Sequence, residues 1–241
     1  MSHLGHYASV IKKSGGDAEI LEGRLMFQLC KFKYKKKIII VAVENERVKT
    51  GIPGLDRLLE GGLIKNSTNL IAGTSGTCKT ILCSQFLWNG LNLGENGVYI
   101  TFEENSTDIL KNMQKFGWDF ENFIKSKKFN MVDIIPSAVS ELITVIVNKV
   151  KNMGAQRLVL DSLTVAAMGW KESPAEFFKF RIKVFDLLRT LKQLGVTSLL
   201  VSEIPQGSDE ISRFGFEEFL TDGIIHLYNM KRENSRFRGL E

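Results

Sequence analysis

The sequence predicts an α/β fold, a mostly parallel sheet with helices on both of its faces. Three observations predict it. Short apolar runs of strand type alternate with helical patterns from Thr50 onward. A glycine-rich segment at residues 73 to 80 joins one of these runs to a helix. Acidic residues close several of the runs, and ligands of parallel sheets bind beyond the carboxyl ends of the strands.

Residues 1 to 45 are unlike the rest and read as an N-terminal extension. No clear periodicity precedes Leu21, Ser14-Gly15-Gly16 is a turn-like break, and Ile38 to Val43 suits an edge strand. The extension holds 8 Lys/Arg against 4 Asp/Glu, whereas the remaining residues hold 24 against 23. A nearly neutral body argues against a strongly DNA-binding core, because nucleic-acid affinity rests on a basic surface. The run Lys31-Phe-Lys-Tyr-Lys-Lys-Lys37 reads as a solvated charged stretch. Residues 46 to 241 show neither an internal repeat nor a low-complexity linker and read as one domain.

Within that domain, Asp56 to Glu60 reads as a short helix ended by Gly61-Gly62. Strand-type runs follow at Asn69 to Ala72, Val98 to Phe102, Met131 to Ile135, Arg157 to Asp161, Ser198 to Ser202 and Gly223 to Leu227. Ile81 to Leu93 reads as a helix. The longest helix is expected over Ala175 to Leu194, where Phe177, Phe180, Val184, Leu188, Leu191 and Leu194 recur at spacings of three and four. Gly195 ends it.

The segment Gly73-Thr74-Ser75-Gly76-Thr77-Cys78-Lys79-Thr80 departs at one position from the phosphate-binding pattern G-x-x-x-x-G-K-[ST]. Cys78 stands where the second glycine is expected. A polyphosphate needs several converging backbone N–H donors, and a tight loop ahead of a helix N-terminus supplies them. The binding set is Gly73 through Thr80 together with Ile81. Lys79 would neutralise the β and γ phosphates, and the Thr80 hydroxyl would join a Mg²⁺ shell. The expected cofactors are ATP and Mg²⁺.

Strand ends supply the carboxylates. Asp161 suits Mg²⁺ ligation, since Mg²⁺ takes oxygen ligands. Glu103 and Glu104 suit orientation or deprotonation of an attacking water. Ser202 and Glu203 suit nucleotide sensing. His226, within an apolar strand, reads as a core or edge histidine. Cys30, Cys78 and Cys83 show no C-x-x-C spacing and indicate neither a disulfide framework nor a zinc site. No apolar run approaches the roughly 20 residues that cross a bilayer, and no leader pattern opens the chain. The expected location is the cytoplasm.

These residues resemble a known family. Arg47-Val-Lys-Thr-Gly-Ile-Pro-Gly-Leu-Asp56, Gly73 to Thr80, Thr101-Phe-Glu-Glu104, Phe116-Gly-Trp-Asp119, Asp161-Ser-Leu-Thr164 and Leu191 to Thr197 look like a single-domain KaiC-like ATPase of the RecA/RadA superfamily. Arg213-Phe-Gly-Phe-Glu-Glu-Phe-Leu-Thr-Asp222 is especially KaiC-like. The resemblance implies a RecA-type core over residues 46 to 241, with Glu104 as the water-activating base, Glu103 assisting and Asp161 as the Walker B acid. It also implies homo-oligomers, commonly rings of six, with ATP between subunits, and an unidentified protein client. No residue is assigned to autophosphorylation. Two departures are expected to matter. The side chain of Cys78 stands close to the phosphates and disfavours the loop's backbone angles, which would weaken ATP binding. The family's basic K-x-R pair, which reaches a neighbour's γ-phosphate, has no counterpart up to Glu241, so the C-terminal strand segment reads as truncated and turnover and ring assembly as impaired.

The expected function is therefore slow Mg²⁺-dependent ATP hydrolysis coupled to assembly or signalling. A non-hydrolysing ATP-binding scaffold and a RadA-like DNA-binding accessory are the alternatives.

Overall fold

The computed structural model describes residues 8–14, 17–23, 46–134, 139–167, 174–208, 210–232 and 235–241, and the chain divides into two compact units after Asn45. In the first unit, β1 (Ala8–Ser14) and β2 (Asp17–Gly23) pair antiparallel, with Ser14 opposite Asp17. The sequence shows the break at Ser14-Gly15-Gly16 but not the pairing of the segments on either side of it. The expected strand at 38–43 lies outside the described residues, as do His3, His6, Cys30 and the basic run at 31–37.

The second unit opens with β3 (Arg47–Val48) and β4 (Leu63–Ile64), an antiparallel pair flanking α1 (Leu55–Leu58). The helix stops two residues short of the expected Glu60, which itself adopts a left-handed φ of 54°. Gly62 is required here: it holds φ 127°, and a Cβ would lie 2.2 Å from the Val48 carbonyl oxygen.

Seven strands form the main sheet: β5 (Thr68–Gly73), β6 (Gly97–Thr101), β7 (Phe129–Asp133), β8 (Arg157–Asp161), β9 (Thr197–Glu203), β10 (Gly223–Arg232) and β11 (Ser235–Leu240). Their order is β11-β10-β5-β9-β8-β6-β7. Every neighbouring pair is parallel except β10–β11. The connections carry α2 (Lys79–Asn92), α3 (Ser106–Gln114), α4 (Glu121–Lys125), α5 (Val139–Met153), α6 (Leu163–Ala166), α7 (Pro174–Gln193) and α8 (Glu217–Leu220). The expected α/β class with a mostly parallel sheet is what the chain forms. β10 runs five residues past the expected Leu227 and turns back as β11, a hairpin the sequence reading did not anticipate.

Alternation along each strand divides the core. Leu70, Val98, Ile100, Leu158, Leu160 and Leu200 face α5 and α7, where Leu142, Ile146, Phe180, Val184, Leu188 and Leu191 cover them. Ile71, Tyr99, Val159, Leu199, Val201 and Ile225 face the opposite way, against Cys83, Phe86, Leu87 and Leu91 of α2 and Ile109 and Met113 of α3. Strands buried on both faces read as continuous apolar runs, which is why the sequence exposed them. On α7, Phe180, Val184, Leu188 and Leu191 are buried as the spacing predicts. Phe177 stays half exposed, with its ring against Phe214 and Phe216.

One buried charge ties α2 to the sheet. Arg157, at the start of β8, is only 2% exposed. Its guanidinium donates to the Phe86 carbonyl at 2.6 Å, to the Lys49 carbonyl at 2.9 Å and to the Glu95 carboxylate, and it lies 4.5 Å from the centre of the Phe86 ring. The carboxylate and carbonyls offset part of the desolvation of the charge. α2 must be bare where the side chain passes. A Cβ on Gly90 would fall 2.3 Å from the Arg157 Nε, and the guanidinium cannot yield without breaking its bonds. Gly90→Ala is therefore expected to destabilise the fold by about 1–3 kcal/mol, the usual cost of overpacking. A lowered urea midpoint at unchanged slope is the reading that checks it.

Candidate functional site

Strand β5 ends at Gly73, directly opposite Glu203 at the end of β9. The loop from Thr74 to Cys78 then lifts off the sheet and feeds α2. Gly73 has no room for a side chain, since a Cβ would meet the Leu227 carbonyl oxygen at 2.7 Å and the Thr77 Oγ1 at 2.8 Å. Gly76, at φ 77°, makes the reverse bend. Thr77 closes the loop by donating to the Thr74 carbonyl at 2.8 Å. Lys79 folds back beneath it and is 8% exposed, with its Nζ donating to the carbonyls of Gly73 and Thr74 at 3.0 Å each. Glu203 Oε1 lies 3.8 Å from the same nitrogen.

Cys78 precedes α2 with φ 72° and ψ 32°. This is the left-handed region, which costs a residue with a Cβ roughly 1–2 kcal/mol. The backbone at this position thus favours the motif's glycine, and the cysteine occupies the left-handed conformation under strain. Its thiol is free and half-buried.

Opposite the loop stand the strand-end acids. Thr80 Oγ1 donates to Asp161 Oδ2 at 2.9 Å, and the buried Tyr99 hydroxyl donates to the same oxygen at 2.5 Å. Glu103 and Glu104 follow β6, where Thr101 Oγ1 donates to the Glu104 carbonyl at 2.7 Å. A cleft of about 640 Å³ lies between the loop and these carboxylates, with Ser75, Lys79 and Thr80 on one side and Glu103, Glu104, Asp161 and Glu203 on the other. Partial burial, and then Glu203 and Asp161, push the Glu103 carboxyl above its ordinary 4.5. Partial burial, and then Asp161 and Asp108, do the same to Glu104, with a hydrogen bond from Asn112 opposing.

The fold thus brings Ser75, Gly76, Cys78 to Ile81, Glu103, Glu104, Asp161 and Glu203 to one cleft from four strand ends, while Gly73, Thr74 and Thr77 shape the loop without lining it. Ser202 is not among them. It is buried below, donating to Glu217 Oε1 at 3.1 Å and accepting from the Arg213 amide. His226 is half-buried on β10, its ring 4.2 Å from that of Tyr228. Two residues that touch the site were not found from sequence, one lining the cleft and one buried beneath it. Arg238 on β11 donates from Nε to the Gly76 carbonyl at 3.1 Å and lines the cleft. Tyr99 looked like one more apolar strand residue. Only its two-residue offset from Thr101, on the strand beside Asp161, could have marked it.

Among the described residues no three of His, Cys, Asp and Glu gather as a metal-binding group, and no helix is long and apolar enough to cross a membrane. The donor set fits a cation that takes one carboxylate and one hydroxyl and completes its shell with waters and phosphate oxygens, as Mg²⁺ does. The loop fits the phosphates: its amides bend around Gly76 ahead of a helix N-terminus, and an ammonium sits beneath.

At position 78 the usual ranking of glycine and alanine is expected to invert. Glycine in a structured segment is commonly the less stable choice, but a left-handed backbone favours it. Cys78→Gly should exceed Cys78→Ala in stability by about 1 kcal/mol, read as the difference between their urea midpoints.

Comparison with known proteins places this geometry. The family model described as ATPase: KaiC matches residues 48–241. The chain is 38% identical over 207 residues to the circadian clock protein KaiC3 of Synechocystis sp., covering 81% of this chain and 40% of that protein. It is 38% identical over 199 residues to a UPF0273 protein of Thermotoga maritima, covering 76% and 79% of the two chains. The chain spans about two fifths of the clock proteins it matches. A solved structure, a KaiC-like protein from the archaeon Pyrococcus horikoshii, superposes with a TM-score of 0.72 at 37% identity, covering 81% of this chain and 87% of that one. With a phosphate-type loop at the centre of a mostly parallel sheet and the family's pattern running through 194 consecutive residues (48–241), the chain belongs to the KaiC ATPase family.

Proposed function

We propose that the chain binds Mg²⁺-ATP in the cleft and hydrolyses it slowly, with turnover coupled to assembly or signalling. The observation that carries this reading is the convergence of the Lys79 ammonium, the Thr80–Asp161 hydrogen bond of 2.9 Å and the Glu103–Glu104 pair on one cleft. Lys79 leaves the carbonyls of Gly73 and Thr74 to meet phosphate oxygens, and Arg238 adds a second positive charge above Gly76. Thr80 and Asp161 hold the Mg²⁺, which neutralises charge developing on the phosphates. Glu104 orients the attacking water and accepts its proton, with Glu103 beside it.

Strain at Cys78 favours a second reading, in which ATP is held and not turned over. Phosphate release from the purified protein separates the two. Under the first reading, Glu104→Gln lowers the steady-state rate about 100-fold or more, the lower bound of general-base contributions. Equal rates in parent and variant would remove Glu104 from catalysis, and release at background in both would leave the scaffold.

An exposed apolar stripe supports assembly. Phe178, Ile182 and Phe185 recur at four and three residues along α7 and are 62%, 43% and 51% exposed. Grouped apolar exposure of this kind marks contact surfaces, and we assign this one to a second copy of the chain. Light scattering is expected to give a mass above one chain in ATP and Mg²⁺, and a lower mass for Phe178→Ser/Phe185→Ser.

The raised Glu103 carboxyl fixes the sign of a pH effect. Its folded value lies above the unfolded one, so its ionisation opposes folding: the stability it contributes is complete below pH 4.5 and is lost as pH rises through the folded value. Glu103→Gln is therefore expected to raise the urea midpoint of the nucleotide-free protein at pH 7 and to lose that advantage near pH 4. The raised Glu104 carboxyl likewise places the acid limb of the hydrolysis profile above 4.5, because the base must be ionised.

A further inference from the structure

We propose that Tyr99 is a positioning residue for Asp161, and that its hydroxyl sets how strongly the site takes up a divalent cation. The inference rests on the reading of the cleft as a Mg²⁺-nucleotide site.

The sheet register makes the contact. Tyr99 on β6 lies opposite Val159 on β8, and Thr101 lies opposite Asp161. Val159 and Asp161 share a face, so Tyr99 is the diagonal neighbour of Asp161 across the strand pair. At that spacing an aromatic side chain reaches. The ring is fully buried within the core beneath α2, and the hydroxyl meets the Asp161 carboxylate 2.5 Å from Oδ2. That distance is typical of a charge-assisted O–H···O⁻ bond.

The second partner of Oδ2 is the Thr80 hydroxyl at 2.9 Å. Two donors converge on one oxygen, so its acceptor capacity is filled and Oδ1 is left to face a cation or its waters. Thr80 spends its single proton on Asp161, which leaves its lone pairs free for the metal. With Thr80 alone, the carboxylate has one anchor and can turn about its axis. With Tyr99 it has two, on different elements, and its orientation is fixed before the cation arrives. Residues that hold a metal ligand in this way typically contribute 10–100-fold to metal affinity.

Tyr99→Phe removes the one oxygen and keeps the ring that fills the core. The test is a Mg²⁺ titration of the binding of a fluorescent ATP analogue to the full chain, with a parallel binding curve in EDTA. The expected result is a Mg²⁺ half-saturation raised about 10-fold in Tyr99→Phe, with analogue affinity in EDTA equal to the parent's and full binding recovered at high Mg²⁺. A purely structural role for the hydroxyl would lower binding with and without Mg²⁺ alike, and that outcome overturns the proposal. So does a Mg²⁺ curve identical to the parent's. A parent that binds the analogue without any Mg²⁺ dependence overturns both this proposal and the reading on which it rests.

Discussion

The site depends on the parallel register of the sheet. Parallel strands need crossover connections, so their carboxyl ends emerge along one edge and every loop there starts from the same level. Gly73 is paired with Glu203, and Thr101 with both Asp133 and Asp161. The phosphate-type loop and its carboxylates lie up to 130 residues apart in sequence, yet backbone hydrogen bonds set their spacing before any side chain is chosen. A one-residue slip of β8 against β6 would turn Asp161 to the α5 face, away from Thr80. Val159 and Leu160 prevent that slip, because each fills a different half of the core.

The same edge gathers like charges. Glu103, Glu104, Asp161 and Glu203 surround the cleft, and Lys79 and Arg238 are the cations that line it. Partial burial first, and the neighbouring carboxylates after it, push both glutamates upward. Lys79 meets part of the crowding from below, where the carbonyls of Gly73 and Thr74 hold the ammonium in place. A cation bound between Thr80 and Asp161 would relieve the repulsion further, and a polyphosphate would then find positive charge on two sides. Crowding in the ligand-free state and affinity for a metal-bound anion are thus consequences of one arrangement.

Much of this was legible in the sequence, and the limits are physical. The loop could be read because its chemistry lies within eight residues, and the strand ends because doubly buried strands appear as unbroken apolar runs bounded by a charge. Asp161, Glu103 and Glu104 could be placed at strand ends by position, while their roles came from the phosphate-type loop and the family resemblance. Arg238 could not, since its reach to Gly76 is set by the pairing of β10 with β11, and nothing local in Ser235–Leu240 announces a strand. Tyr99 is hidden for a related reason: its ring satisfies the apolar pattern and conceals the hydroxyl, whose use appears only once β6 lies beside β8. Ser202 misled in the opposite sense. It stands next to Glu203, but successive residues of a strand point to opposite faces, so only one of them can meet the cleft.

Cys78 shows how far a motif residue can depart before the geometry does. The left-handed backbone at this position is imposed by its surroundings: Gly73 is pinned between Leu227 and Thr77, Thr77 closes on Thr74, and Lys79 is tied to two carbonyls on the other side. Those restraints together outweigh a penalty of roughly 1–2 kcal/mol, so the loop keeps its shape and the cysteine takes the strain. A strained residue persists only where its neighbours over-determine it. The half-buried thiol lines the space that phosphate oxygens would approach.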